Sequence, residues 1–267
     1  MSKNIVEFAN VSKIYNEGTS DAFTAISDVT FAIEDIPGKG EFITVLGPSG
    51  CGKSTILRMI AGLDPQHPPT TGSVLVGGKP VIGPGPDRGM VFQDYTSFDN
   101  RTVLDNVAFG LECRGIDRAT RYAKARDWIQ RVGLNVDSDA GKYPHELSGG
   151  MRQRVAIART LILHPRIILM DEPFGALDPH TRQQMQDLLI KLWNDVEATV
   201  FFVTHSIDEA VYLGDRVFIF SRGPGRLAHQ ISMPRSTVPT HEIYRNPDFQ
   251  RQVLEVSEIM EQLETKS

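Results

Sequence analysis

An octet at residues 47–54, GPSGCGKS, contains the residue types that hold phosphate groups. Its glycines let backbone N–H groups approach phosphate oxygens without a Cβ in the way. Lys53 supplies a cation for the outer phosphates, and the Ser54 hydroxyl is a ligand suited to Mg²⁺. A helix that followed would direct its positive end at the same anion. The octet predicts a site for a nucleoside triphosphate with Mg²⁺.

The elements predicted on either side of the octet fit this chemistry. Residues 41–46 (EFITVL) have the pattern of a buried strand, and residues 54–62 (STILRMIAG) that of a helix ending at Gly62. Strand, glycine loop and helix in this order are the context that a P-loop requires, which a chance glycine turn would lack. The residues predicted to contact nucleotide here are Gly47, Pro48, Ser49, Gly50, Cys51, Gly52, Lys53, Ser54 and Thr55.

A second reactive cluster is the carboxylate pair Asp171 and Glu172, which follows the apolar run at 167–170 (IILM). Burying two carboxylates at a strand end is costly unless a cation compensates them, and Mg²⁺ beside the P-loop would do so. We expect Asp171 to bind this metal through water. We expect Glu172 to polarise the attacking water as general base. Without the P-loop, a strand end meeting solvent would be the simpler interpretation.

The composition limits the class of protein. The 267 residues are 40% hydrophobic, enough for one substantial core, and the net charge of −5 does not favour a general nucleic-acid binder. Two cysteines, Cys51 and Cys113, are too few for a disulfide framework and fit a reducing cytosol. The N-terminus lacks the apolar core of a signal peptide, and no window approaches the roughly 20 apolar residues that span a bilayer. A role at a membrane would therefore need another chain.

Hydrophobic periodicity predicts how the chain is organised. Residues 64–89 are rich in Pro and Gly and indicate loops around one short strand, whereas helical spacing prevails from about 102 to 164. This pattern indicates a helical subdomain inserted in an α/β core. A helix is predicted at 181–196, and the tail from 222 begins with a Pro/Gly turn and ends in a helix. The predicted strands lie at 5–11, 27–33, 41–46, 73–76, 167–170, 200–203 and 216–220.

A further octet at 147–154, LSGGMRQR, separates this chain from most ATPases and kinases. It resembles the signature sequence of ABC ATPases and precedes the acidic strand, as it does in that family. Ser148, Gly149 and Gly150 open a predicted helix at 151–163, so they offer a hydroxyl, backbone N–H groups and a helix N-terminus to an anion. An N-cap role for Ser148 is compatible with this but does not account for the whole octet.

Four more positions match the ABC family in order. Tyr15 resembles the aromatic residue that stacks on adenine, and an ordinary strand-end tyrosine is its competing interpretation. Gln93 resembles the glutamine that contacts Mg²⁺ and the water and links the core to the helical subdomain. Asp178, at the end of GALD, resembles the loop that crosses the dimer. His205 resembles the histidine that contacts the γ-phosphate.

The resemblance covers residues 3 to about 222 and implies a fold and a division of the chain. The expected fold is α/β, with a P-loop (RecA-like) core and an inserted all-helical subdomain, of the ABC ATPase type. The core would comprise 1–92 and 165–222, the helical signature subdomain 93–164, and the C-terminal extension with its terminal helix 223–267.

The resemblance also implies how the site is completed. Two subunits, identical or paralogous, would pack head to tail, so that the signature of one meets ATP on the P-loop of the other. ATP and Mg²⁺ are the expected cofactors. The expected metal ligands are Ser54, Gln93 and Asp171, and the expected catalytic residues are Glu172, His205 and Gln93.

Within the family, a single short subunit without fused membrane helices or a long coiled coil resembles importer ATPases. The segments GPGPDRGMVFQ, NVAFGL, FGALD and GPGR are similar to the nitrate, sulfonate and taurine group. Transmembrane permease subunits and, indirectly, a solute-binding protein are the implied partners, at the cytoplasmic face of the cell membrane, with no nucleic acid. Residues 97–101 (SFDNR) depart from the Pro-Trp-Leu of that group, near the expected groove for the membrane subunit.

Two other functions stay open. A soluble ABC ATPase that regulates a non-membrane partner would have the same pocket. A P-loop kinase of small molecules would leave Gln93 and the octet at 147–154 unexplained.

Overall fold

The computed structural model describes residues 4–36, 38–94, 96–235 and 238–265. It has the α/β fold expected from the sequence, with helices and two sheets. The strands are β1 (Asn4–Tyr15), β2 (Phe23–Glu34), β3 (Phe42–Leu46), β4 (Thr71–Val76), β5 (Lys79–Pro80), β6 (Arg88–Val91), β7 (Ile167–Asp171), β8 (Thr199–Val203), β9 (Arg216–Phe220) and β10 (Leu227–Ser232). The α-helices are α1 (Lys53–Ala61), α2 (Val103–Cys113), α3 (Arg118–Arg131), α4 (Val136–Asp139), α5 (Gly149–Leu161), α6 (Pro179–Asn194), α7 (Ile207–Leu213), α8 (Thr240–Ile243) and α9 (Pro247–Thr265).

The larger sheet has six strands in the order β10-β9-β3-β8-β7-β6. Its five strands from β9 to β6 are parallel, and β10 is antiparallel to β9. Every residue of β3, β7 and β8 is buried, which explains why these strands are continuous apolar runs rather than alternating ones. The carboxyl ends of β3, β8 and β7 lie side by side at one edge, where open α/β sheets bind ligands.

The two faces of the large sheet are covered by different layers. Along β8, Val200 and Phe202 belong to the core shared with the helices, whereas Phe201 and Val203 belong to the core under the antiparallel sheet β2-β1-β4-β5. Alternate strand residues point to opposite faces, so one apolar strand contributes to both cores. The rings of Phe8 in β1 and Phe31 in β2 stack with their centroids 4.6 Å apart, which holds these two strands of the antiparallel sheet together.

The helical insertion lies between β6 and β7 in the chain and contains α2, α3 and α5. Side-chain caps fix where these helices begin, because Thr102, Asp117 and Ser148 each accept a hydrogen bond from a backbone N–H of the first turn. The buried side chains of Trp128 and Val155 belong to the core that continues into the sheet.

Three strands differ from the sequence-based expectation. β5 lies inside the stretch of 64–89 predicted as loops around one strand, and β6 begins inside it at Arg88. β10 lies in the tail, where only a turn and a helix were predicted. All three are edge strands: β5 pairs with the neighbouring β4, β6 with β7, which is distant in sequence, and β10 with the preceding strand β9. The four residues of β6, RGMV, follow a Pro/Gly-rich stretch and are too few to show a strand pattern, so its pairing with β7 decides.

The last helices pack on the core rather than extending from it. Tyr244, after α8, has ring contacts with Tyr212 of α7 and Phe249 of α9. Thr240 donates from its backbone N and its hydroxyl to the carboxylate of Asp187 in α6. Among the helices that the structure describes, none combines the length and apolarity needed to cross a bilayer.

Candidate functional site

The P-loop joins β3 to α1, and its backbone adopts conformations that favour glycine. Gly52, the N-cap of α1, has φ +90°, and a Cβ there would collide with the side chain of Ile26. Lys53 is buried, and its Nζ donates to the carbonyl oxygens of Gly47 at 2.8 Å and Pro48 at 3.0 Å. The loop is thus folded around its own lysine. Beneath it, burial raises the pKa of the Cys51 thiol, so this side chain is a packing group.

Ser54 and Asp171 meet beside the loop. Ser54 Oγ donates to Asp171 Oδ1 at 2.8 Å, and Arg58 Nη2 lies 3.8 Å from Asp171 Oδ2. Burial raises the pKa of Asp171, against the opposing effects of the Ser54 hydrogen bond and the Arg58 charge. A hydroxyl and a carboxylate at this spacing are hard oxygen donors of the kind that Mg²⁺ prefers. The pair fits one side of a magnesium site whose other ligands would be phosphate and water.

Glu172 and His205 lie next to each other at the ends of adjacent strands. The distance from His205 Nδ1 to Glu172 Oε2 is 3.5 Å. Glu172 has φ +45°, a left-handed conformation that is uncommon for a residue with a Cβ, and its N–H donates to the carbonyl of Val203. Strained backbone at the end of a buried strand is a feature of functional sites. Glu172 borders the same cavity as the P-loop residues Gly52 and Lys53.

A cavity of about 260 Å³ contains the P-loop side of the site. Tyr15 borders it at the end of β1, where its hydroxyl lies 3.3 Å from Thr55 Oγ1. Phe23, the cross-strand partner of Tyr15, also borders the cavity with 53% of its surface exposed, and this residue was not predicted. Only the β1–β2 register identifies it, because directly paired residues lie on the same face of a sheet. The lining residues are Tyr15, Phe23, Ala25, Ser49, Gly50, Gly52, Lys53, Ser54, Thr55 and Glu172.

The other predicted residues lie outside this cavity. Ser148 is exposed at the start of α5, with Gly149 and Gly150 half-buried beside it. Asp178 caps α6 by accepting from Thr181 N at 3.1 Å, and the hydrogen bonds from Thr181 lower its pKa. Gln93 follows β6, is exposed, and forms no hydrogen bond with Asp171 or Glu172 in the part of the chain described. The single chain therefore assembles the P-loop half of the predicted site and leaves the signature residues on a separate surface.

A Pro/Gly turn at the start of the C-terminal extension packs against the P-loop. The sequence did not reveal this contact. Gly225 N donates to Ala25 O at 2.9 Å, and Ser27 N donates to Gly225 O at 3.0 Å. A Cβ at Gly225 would collide with the carbonyl of Cys51. The Pro/Gly turn thus fits directly between β2 and the phosphate loop, where only a glycine can approach so closely.

Comparison with known proteins places this geometry in a family. A family model described as ABC transporter matches residues 27–175. The nitrate import ATP-binding protein of Synechocystis is 40% identical over 269 residues, covering 98% of this chain and 97% of that protein. The taurine import ATP-binding protein of Rhizobium johnstonii is 49% identical over 209 residues, covering 78% of this chain and 76% of that protein. The expected resemblance to nitrate and taurine importer ATPases is confirmed.

A solved structure gives the same result for the fold. The dimeric structure of an ATP-binding cassette in a post-hydrolysis state, bound to ADP and Pi, matches with a TM-score of 0.73 at 32% identity. The match covers 86% of this chain and all of that one (100%). ATP binding and an ATPase fold of the ABC type are therefore supported by sequence and structure together. The chain belongs to the ABC transporter family, in which it is an ATP-binding cassette with ATPase activity.

Proposed function

We propose that this chain hydrolyses MgATP as the energy-supplying subunit of an importer for a small solute, working through separate membrane subunits. The observation that carries the proposal is the convergence of the P-loop, the Ser54–Asp171 pair and the Glu172–His205 pair at one edge of the sheet. This arrangement positions a phosphoryl group and compensates its charge, which is what phosphoryl transfer requires.

Each side chain has a distinct role in this proposal. Lys53 neutralises the outer phosphates, and Tyr15 stacks on the base. Ser54 and Asp171 would hold Mg²⁺, with Gln93 approaching when the site closes; the ion, when bound, neutralises charge on the phosphate oxygens. Glu172 accepts a proton from the attacking water, and His205, 3.5 Å away, contacts the γ-phosphate.

A second chain, identical or paralogous, completes the site. Ser148 is exposed at the N-terminus of α5, outside the cavity that contains the P-loop of its own chain. The backbone N–H groups of Gly149 and Gly150 and the helix dipole favour an anion at this end. A head-to-tail pair brings each such end to the partner's ATP, with Asp178 crossing between the two. The dimeric form of the solved ATP-binding cassette supports this arrangement.

The membrane subunits would bind near residues 96–110. Phe98 and Phe109 have ring centroids 4.5 Å apart, and the Arg101 guanidinium lies over Phe109 at 4.8 Å. Asn106 is fully buried and hydrogen-bonds the backbone of Phe98 and Arg101, so the unusual segment 97–101 is an ordered surface. We propose that this surface selects the permease and that the chain is peripheral on the cytoplasmic face of the membrane.

The transported solute is proposed from relatives alone. Proteins named for nitrate import and taurine import align along most of this chain. We propose nitrate, a sulfonate, taurine or a similar anion, delivered by a solute-binding protein.

The test is an affinity pull-down of Glu172→Gln with MgATP from detergent-solubilised cells of the native host, read by mass spectrometry. Recovery of a multi-helix membrane protein with a solute-binding protein supports an importer, and ligand screening of that binding protein identifies the solute. Recovery of soluble partners only, in a preparation where other membrane complexes survive, would move the function to an ATP-driven soluble regulator.

A further inference from the structure

A buried carboxylate outside the phosphate cavity organises the loop that carries His205. Glu209 lies in the first turn of α7 and is 5% exposed. Its Oε2 accepts from the Thr204 hydroxyl at 2.5 Å, and its Oε1 accepts from Gln186 Nε2 at 3.0 Å. Arg182 Nε lies 3.8 Å from the same Oε1. A carboxylate this deeply buried needs hydrogen-bond partners to offset the cost of its burial. Its partners are therefore held in fixed positions around it.

The residues on either side of His205 are fixed by this acid. Thr204 donates to Glu209 through its hydroxyl, and the same oxygen accepts from Ser206 N at 3.0 Å. Ser206 Oγ in turn accepts from Glu209 N at 3.3 Å, which caps α7. The His205 side chain itself is 61% exposed, and its imidazole contacts Glu172. The position of the imidazole is therefore set by the loop, and the loop by Glu209.

The same network reaches the C-terminal extension. Gln186 is 1% exposed, and its Oε1 accepts from the Tyr244 hydroxyl at 3.3 Å. A continuous path of hydrogen bonds runs from Tyr244 through Gln186 and Glu209 to Thr204. Hydrogen bonds in such a chain polarise one another, so a change at one end alters the other.

We propose that Glu209 is a positioning residue for His205 and that the Gln186–Tyr244 link makes the rate of hydrolysis depend on the docked C-terminal extension. The inference rests on the proposed role of His205 at the γ-phosphate. Glu209 touches no substrate; it acts by holding Thr204 and Ser206, and the extension acts by holding Gln186.

The first test exchanges the acid and the amide between Glu209 and Gln186, which separates an effect on positioning from an effect on folding. Glu209→Gln leaves two amides facing each other, and we expect kcat to fall about 10-fold, the lower range for residues that orient a site group, with the Kd for MgATP unchanged. The double variant Gln186→Glu with Glu209→Gln restores one acid and one amide and should recover most of kcat. Wild-type kcat in Glu209→Gln, or a loss that the exchange does not recover, would overturn the proposal.

The second test compares two tyrosines whose hydroxyls each donate one hydrogen bond to a side chain. Tyr244→Phe removes the hydroxyl that bonds Gln186 and should lower kcat about 3-fold, the effect of one neutral hydrogen bond. Tyr122→Phe, in α3, is the matched control, because its hydroxyl donates to Asp105 of α2 and does not join the path to Glu209. Equal kcat values for the two variants would refute the link to the extension.

His205→Ala tests the role of His205 in hydrolysis separately from the positioning roles of Glu209 and Tyr244. If it loses hydrolysis while the Glu209 and Tyr244 variants keep wild-type rates, the role of His205 stands and only this inference fails. Wild-type hydrolysis in His205→Ala would overturn both.

Discussion

Ser54 Oγ and Asp171 Oδ1, which are 117 positions apart in the sequence, lie 2.8 Å from each other. The contact joins the start of α1 to the end of β7 and defines the place where Mg²⁺ would bind. We predict that Ser54→Ala raises the Mg²⁺ concentration for half-maximal ATPase activity about 10- to 100-fold, because an orienting ligand is lost. Ser73→Ala, which removes an exposed hydroxyl from β4, is the control. Identical Mg²⁺ titrations for both variants would contradict the assignment.

Removing the charge of Glu172 should separate hydrolysis from binding. Glu172→Gln keeps the shape of the side chain but cannot accept the proton of water, so we expect kcat about 10²- to 10⁴-fold lower. MgATP binding should be retained, and the paired form should persist because ATP is not consumed. Glu255→Gln, in an exposed position of α9, is the control. Turnover of Glu172→Gln at the wild-type rate would exclude the general-base role.

Mixing two inactive variants tests whether each site is built from two chains. Lys53→Ala disables the P-loop, and Ser148→Arg blocks the signature end of α5. A mixed pair retains one site in which the intact P-loop meets the intact Ser148, so ATPase activity should reappear on mixing. Each variant measured alone provides the baseline. Mixed pairs that are shown to form and still hydrolyse nothing would rule out the shared site.

The turn that supports the P-loop should be sensitive at one glycine and tolerant at another. Gly225→Ala places a Cβ against the carbonyl of Cys51, and we expect about 1–3 kcal/mol lower free energy of unfolding, the usual range for overpacking. ATP affinity should weaken too, since the loop must shift. Gly223→Ala, in the same turn, has no atom within 4 Å of the added Cβ and is the control. Thermal unfolding and ATP titration of both variants test this expectation. Equal stability of the two variants would contradict it, because it would mean that the loop accommodates the Cβ at position 225 without cost.

Alkaline pH should loosen the C-terminal extension. Burial raises the pKa of Tyr244 from 10.0 to about 12, so the folded protein retains a phenol proton that the unfolded chain has lost. The folded state binds more protons between these two values, and the free energy of unfolding therefore falls as pH rises through this window. Tyr244→Phe has no proton to lose and should show a shallower decline. Denaturant unfolding at pH 9 and pH 11 measures this; parallel declines for the two proteins would disprove it.

Residues close together in sequence were predictable because their chemistry is local. Gly52 caps α1, and Lys53 and Ser54 are its first two residues, so the three must lie on one turn. The caps at Thr102 and Ser148 are set by the first helical turn that follows each of them. By contrast, β6 is a strand because β7 offers it partners, and no residue of Arg88–Val91 indicates this by itself. Phe23 borders the nucleotide cavity because it pairs with Tyr15, and Gly225 touches the P-loop because of a turn formed 170 or more positions later.

The sequence by itself determined the α/β class, the family and the chemical types at the site, because motifs and periodicity record local backbone geometry. The tertiary structure alone decided which of those groups meet: Ser54 with Asp171, Glu172 with His205, and Glu209 with both Thr204 and Gln186. These contacts depend on the order of strands in the sheet and on how helices pack against it. Burial and pairing over long distances set their energies, and neither has a signature at a single position in the chain.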